Sequence, residues 1–301
     1  MDTRAPSDYT GRRVMQDTRY ARRIDTHVHV WDLARRDVPW IDEARSAIRS
    51  TFAVSDWAQV ADATDVDSAV LVQAINDPHE TDDLLAYAAV EPRVAGVVGW
   101  VDLAAPDIAD RLAELRERPN GRWLVGIRHL ALVDNDPAGW LGSPQVQRGL
   151  AAVAAAQLPY DLIFRPEHLD AVLPAVRSHP GLTFVLDHLG KPPTLPAGLG
   201  DWTVGMRTLA AEPNVTCKLS QILTVAGPPR PYVDVALEAF GAERLLFGSD
   251  WPVSLLHAPY DVVVNVTEQL LARCSDKERY QIWGGVAARV YKLTSSPDPS
   301  G

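Results

Sequence analysis

The sequence predicts an α/β chain folded as a single (β/α)8 barrel. Eight short apolar runs, most without polar alternation, are spread along its 301 residues. Runs of that kind suit parallel strands buried on both faces. Segments of helical period separate most of them, and one barrel of this type typically takes about 250 residues. The competing fold is an open doubly wound sheet. Neither G-x-G-x-x-G nor G-x-x-x-x-G-K-[ST] follows the first run, which removes support for its nucleotide-binding form.

In chain order the runs are 22–30 (RRIDTHVHV), 68–74 (SAVLVQA), 94–103 (VAGVVGWVDL), 124–131 (LVGIRHLA), 160–164 (YDLIF), 183–190 (TFVLDHLG), 214–220 (NVTCKLS) and 244–250 (RLLFGSD). Between them lie helical stretches such as DIADRLAELRER, SPQVQRGLAAVAAAQ and YDVVVNVTEQLLARC. Ser143 before Pro144 reads as an N-cap followed by proline at the first helical position, and Ser55-Asp56 reads as another helix start. The stretch 31–67 is richer in tryptophan and charge, and predicts an extended loop with a helix over the barrel mouth. Residues 1–20 read as a flexible arm, 21–293 as the catalytic barrel and 294–301 as a flexible tail.

Composition excludes several function classes. The net charge of −10, without a basic cluster, argues against nucleic acid as a partner. The N-terminus has no apolar core of a secretory signal, and no run of about 18 apolar residues predicts a membrane span. Two cysteines give no disulfide framework, so a reduced, cytoplasmic protein is expected. A small molecule is the expected partner.

In such a barrel the working residues sit at the C-terminal strand ends. The first run ends in His27-Val28-His29. Alternation in a strand points both imidazoles the same way, into the barrel, with Asp25 on their side. Two imidazoles so placed can share a divalent metal. The sixth run ends in Asp187-His188 and the eighth in Ser249-Asp250. A lone Asp after a strand is often only a helix cap. Beside an imidazole pair or a Lewis acid it becomes a plausible general base for water. Arg128, ending the fourth run, suits a substrate carboxylate or a developing oxyanion. That run carries no lysine, which disfavours a dinuclear site bridged by a modified lysine and leaves one metal or none.

Trp31 and Trp251 follow strand ends directly and are expected at the substrate pocket, with His257 near the mouth. Cys217 reads as a buried structural thiol. Lys218 either reaches into the barrel or supports it from the strand's other face. His79 and Glu80 precede LLAYAA and read as a helix start, where an acidic residue favours the dipole.

The segments RIDTHVHVWDL, VVGWVDL, GIRHL, FVLDHLGKP, CKLSQ and LLFGSDWPVSLL resemble the amidohydrolase-related lactonases of barrel fold, over about residues 22–293. FVLDHLGKP and LLFGSDWPV are specific; the H-x-H alone is not. The resemblance implies hydrolysis of a small lactone, of the sugar-lactone or pyrone-dicarboxylate kind. It places His27 and His29 as metal ligands or carbonyl polarisers, His188 beside them, and Asp250 as the base, with Arg128 orienting substrate. A metal would be held by His27, His29 and Asp250. The expected cofactor is one divalent metal, zinc foremost, or none. A homodimer is compatible with such barrels, whose exposed helical faces often pair.

Two departures fall at the mouth. Gln221 stands where relatives usually have glycine, in SQILTVAGPP, and NDPHE after the second run is unusual. A metal-dependent decarboxylase of the same superfamily is the second expectation, although D-T-H-V-H departs from its E-x-H form. A non-catalytic barrel should have lost a strand-end group, and none is lost.

Overall fold

The computed structural model describes residues 22–193, 198–225 and 227–293. The predicted arm 1–20 and tail 294–301 lie outside the described residues. Eight strands form one sheet in sequence order: β1 (Ile24–Val28), β2 (Ser68–Val72), β3 (Val94–Gly99), β4 (Leu124–Arg128), β5 (Tyr160–Leu162), β6 (Phe184–Leu186), β7 (Val215–Leu219) and β8 (Leu245–Phe247). Each pairs in parallel with the next. The ring closes just beyond β8. Asp250 N donates to His27 O at 2.9 Å, and His29 N donates to Trp251 O at 2.7 Å. All eight predicted strands are present, each within the bounds of its apolar run.

The helices are α1 (Val54–Ala61), α2 (Pro78–Val90), α3 (Ile108–Glu117), α4 (Pro137–Gly142), α5 (Pro144–Ala155), α6 (Leu169–Ser178), α7 (Leu199–Ala210), α8 (Arg230–Phe240), α9 (Tyr260–Leu270), α10 (Asp276–Tyr280) and α11 (Val286–Val290). Ser143 caps α5 as expected, accepting from Val146 N with Pro144 at the first helical position. At α1 the start differs from expectation. The helix begins at Val54, and Asp56 folds back to accept from Ala53 N at 2.8 Å.

Strand periodicity sorts the apolar side chains into two cores. Leu71, Val97, Leu245 and Phe247 point outward to the helices, joining Trp57, Leu150 and Val153. Val70, Val72, Val98, Val185 and Leu246 point inward, where Val286, Ala287 and Tyr291 close the lower end of the barrel. Each fully buried Val, Leu or Phe side chain among them contributes about 1.5–3 kcal/mol.

The first strand departs from simple alternation, and this positions the site. Ile24 belongs to the inner core and Val28 to the outer one. Strict period two would put both on the same side. The register between β1 and β2 shifts between Asp25 and Val28, which reverses the facing and turns His27 and His29 inward. Asp25 therefore does not share their side, contrary to expectation. Its carboxylate accepts from Ser249 N at 2.8 Å and from the hydroxyl of Tyr260, on α9, at 3.1 Å.

Residues 31–67 run across the mouth through a short 3-10 segment and α1. Trp31, Val38, Ile41, Ile48 and Ala74 form a third cluster there. Both cysteines are free, and Cys217 is buried, with its thiol pushed up by that burial. Among the described residues, no helix is long and apolar enough to cross a membrane.

Candidate active site

Four strand ends meet above the inner core. Their approach depends on Gly248, where an added Cβ would stand 2.9 Å from the Cβ of His27. Asp250 Oδ1 lies 3.4 Å from His29 Nε2, 3.6 Å from His27 Nε2 and 3.9 Å from His188 Nε2. The two Nε2 atoms of His27 and His29 are 3.2 Å apart. The other Asp250 oxygen accepts from Gln221 Nε2 at 2.6 Å, and Gln221 Oε1 accepts from Lys191 Nζ at 2.7 Å.

The outer nitrogens of two imidazoles are anchored. His29 Nδ1 lies 2.7 Å from the carbonyl of Val72, which can only accept, so this nitrogen carries a proton. His188 Nδ1 lies 2.8 Å from Ser220 Oγ, which also accepts from the His188 backbone N.

Backbone strain builds this arrangement. His188, Leu189, Gly190 and Lys191 all have positive φ, between 52° and 64°. Residues with a Cβ rarely take this conformation, at about 1 kcal/mol or more each. The run curls the chain sharply after β6, so that His188 meets Asp250 and Lys191 returns to Gln221. Asp250 and Gln221 themselves have φ of 62° and 53°.

Beneath the imidazoles lies a fully buried ionic layer. Lys218 points into the barrel, which decides between its two expected placements. Its Nζ donates to Asp161 Oδ2 and lies 3.2 Å from Asp187 Oδ1 and 3.1 Å from His27 Nδ1. Asp161 also accepts from the Tyr291 hydroxyl, at 2.8 Å and 3.0 Å to its two oxygens. Arg128 Nε lies 3.0 Å from Asp187 Oδ2, and Nη1 donates to the Gln73 carbonyl at 3.1 Å. The Asp187 contacts are ion pairs not aligned as hydrogen bonds.

These neighbours set the protonation states. Burial, aided by the charges of Lys218 and Arg128, holds His27 well below the usual imidazole range. Burial likewise holds His188 low. Burial works against an ionised Asp187, but Lys218 and Arg128 together keep it below the ordinary carboxylate value. Burial pushes Asp161 up to about 6 despite Lys218. Lys191 is brought down to about 8, chiefly by burial.

The structure thus gathers His27, His29, His188 and Asp250. Arg128 lies below them, paired with Asp187 and donating to the Gln73 carbonyl. Trp31 and Trp251 are buried wall residues. Trp31 donates to the Ser50 carbonyl and packs edge-on against Phe52, and Trp251 meets the same ring at 5.3 Å between centroids. His257 is exposed after the turn Val253–Leu256 and is not brought to the group. His129 turns to Asp134 and stacks on Trp140.

Asp161 and Lys191 were not singled out from sequence, and Gln221 was named only as a departure at the barrel mouth. For Asp161 a signal existed, since a carboxylate inside the three-residue strand Tyr160–Leu162 must face either helices or barrel.

His27, His188 and Asp250 offer ligand atoms all within 4.8 Å of one another. Imidazole and carboxylate are suitable zinc ligands, so this set fits a divalent ion by type and spacing. His29 Nε2 stands beside it.

A family model of amidohydrolases matches residues 24–293. The chain belongs to the amidohydrolase family. This amidohydrolase is 37% identical over 297 residues to an L-fucono-1,5-lactonase of Burkholderia multivorans, covering 93% of this chain and 98% of that protein. An L-fucono-1,5-lactonase of Burkholderia ambifaria is also 37% identical, over 90% of this chain and 96% of that protein. Among solved structures, an amidohydrolase from Burkholderia multivorans with bound zinc superposes with a TM-score of 0.85 at 36% identity, covering 91% of this chain and 100% of that chain. Another crystal form, with bound HEPES, gives a TM-score of 0.86 at the same identity and coverage.

Proposed function

We propose that this amidohydrolase opens a small lactone by hydrolysis, with a sugar 1,5-lactone as the first candidate. The observation that carries the reading is Asp250. One of its oxygens is held by Gln221 while the other faces three imidazoles at 3.4–3.9 Å. The two lactonase relatives support the substrate class.

In this mechanism Asp250 takes a proton from a water held among the imidazoles. The water oxygen attacks the lactone carbonyl. His27 faces that carbonyl and the oxyanion as it forms, and His29, with its Nδ1 proton held on the Val72 carbonyl, stands beside it. Collapse breaks the ring C–O bond, and Asp250 returns its proton to the leaving oxygen. The product is a hydroxy acid, which releases a proton to solvent at neutral pH. His27 and His188, kept neutral by burial, do not add charge beside the base. A divalent ion, which His27, His188 and Asp250 would hold, supplies Lewis acidity at the carbonyl when bound.

The test is acid release, followed with a pH indicator, from a panel of sugar lactones, muconolactones and pyrone carboxylates, with and without chelator. General acid–base help is worth about 10²–10⁴-fold, so Asp250→Asn should lose at least about 100-fold in turnover. Near wild-type turnover by a folded Asp250→Asn protein would remove Asp250 from the role. Release of CO₂ from an unsaturated or aromatic acid, with no acid from any lactone, would replace the hydrolase by a decarboxylase.

A further inference from the structure

Opening a lactone needs its carbonyl to be held, but choosing one lactone needs a contact with the rest of its ring. One buried side chain beside the reacting groups has an acceptor to spare. Gln73 follows β2 directly and is fully buried. Its backbone is spent: N donates to the Val98 carbonyl at 2.9 Å, and O accepts from Arg128 Nη1 at 3.1 Å. The preceding carbonyl, of Val72, holds His29 Nδ1 at 2.7 Å. Gln73 thus stands in the circle of strand-end groups, with His29 on one side and Arg128 on the other. Burial does not set it apart from them, since His27 is 0% and Asp250 1% exposed.

The orientation of its amide is fixed. Leu130 N donates to Asn76 Oδ1 at 2.8 Å, so that end of the Asn76 amide is the oxygen. Gln73 sets one end of its own amide 3.3 Å from this oxygen and 3.2 Å from the Arg128 carbonyl. Both neighbours only accept, so this end is Nε2, and its two hydrogens are used. Turning the amide over would bring three oxygens together. The other end, Oε1, has no hydrogen-bond partner among the described residues. Buried amide oxygens are nearly always paired. An acceptor held this rigidly beside the imidazoles suits a donor that arrives with the substrate.

We propose that Gln73 is a specificity residue whose Oε1 accepts a hydrogen bond from a ring hydroxyl of the lactone. A hydroxyl is the fitting donor, because a lactone's carbonyl and ring oxygens, and any ionised carboxylate it carries, only accept. The pocket is thereby built for a polyhydroxylated lactone and against muconolactones and pyrone carboxylates, which would leave Oε1 buried and unpaired. This assignment rests on the lactonase reading and narrows it to one chemical class.

Monodeoxy analogues of the sugar 1,5-lactone that the wild type opens best, followed by acid release, locate the contact. Removing one particular hydroxyl should cost about 100-fold or more in kcat/KM, because a site built to pair a hydroxyl rejects a ligand without it. Gln73→Met, of similar length but with no such acceptor, should lose a comparable factor on the complete lactone. On the analogue lacking that hydroxyl it should lose no more than a few-fold, since the contact is already gone. A merely structural Gln73 would slow both substrates alike, and that result overturns the proposal. So does a wild type for which no single hydroxyl is worth about tenfold. Where Gln73→Met does not fold, the wild-type series decides alone. A wild type that opens no lactone overturns the lactonase reading, whereas one that opens lactones whatever their hydroxyls leaves that reading standing and removes Gln73 from it.

Discussion

Replacing Glu80 by glutamine should change how stability depends on pH. Glu80 lies in the first turn of α2, but its side chain is buried and leaves the helix. Its two oxygens accept from Ala74 N at 2.9 Å and Ile75 N at 3.0 Å, holding the chain after β2 against the mouth. Burial raises its pKa from 4.5 to about 7, with the two backbone bonds pulling against it. For an acid whose folded pKa is raised, the stabilising contribution is complete below the unfolded value and is lost as pH rises through the folded one. Between about pH 5.5 and 8.5 the wild type should therefore lose about 2 kcal/mol through this group. Glutamine cannot ionise, although its amide meets one backbone N–H poorly and introduces a constant offset. Urea unfolding of both proteins at the two pH values gives the difference directly. Glu80→Gln should gain about 2 kcal/mol relative to wild type on going to the higher pH, whatever its offset. A difference that does not change with pH would refute the buried, proton-binding carboxyl.

Three other perturbations follow from the site. Ser220→Ala removes the partner of His188 Nδ1 and should lower zinc affinity or turnover by about 10–100-fold, read by chelator competition and by lactone assay. Tyr291→Phe takes a hydroxyl donor from the buried Asp161 and should cost about 1.5–3 kcal/mol in denaturant unfolding, with the secondary structure unchanged by circular dichroism. Gln221→Leu frees the Asp250 oxygen at 2.6 Å and parts it from Lys191. Its kcat should fall by about tenfold or more, an effect in keeping with the loss of a hydrogen bond to a charged group, while a KM effect alone would show that Gln221 contacts substrate instead.

The fold was legible because its signal is repeated. Eight apolar runs, most of them unalternated, specify eight doubly buried strands, and small errors at any one do not change the sum. The four strand-end groups were legible for a related reason, since barrel geometry sends strand ends to one mouth. Asp25 was misplaced because a register shift is invisible in side-chain spacing: the alternation rule assumes an unbroken ladder, and β1 breaks it between Asp25 and Val28. Glu80 was read from its helix position, whereas its side chain answers to two orphan amides outside the helix. Lys191 and Gln221 reach the site only through left-handed backbone, which no pattern of residue types announces at non-glycine positions. His257 is near Asp250 in sequence, but the turn after Trp251 carries it to the surface.

The two hydrogen bonds that close the ring join the backbones of Asp250 and His27, and of Trp251 and His29, so three of the four residues at the seam are ones that would do the chemistry. The clasp of the barrel and the assembly of base and imidazoles are one event. A local excursion that parts β1 from the segment after β8 would scatter the reacting groups while most helices stay packed. This enzyme should therefore fall silent on heating before it unfolds, as parallel activity and circular-dichroism melts would show.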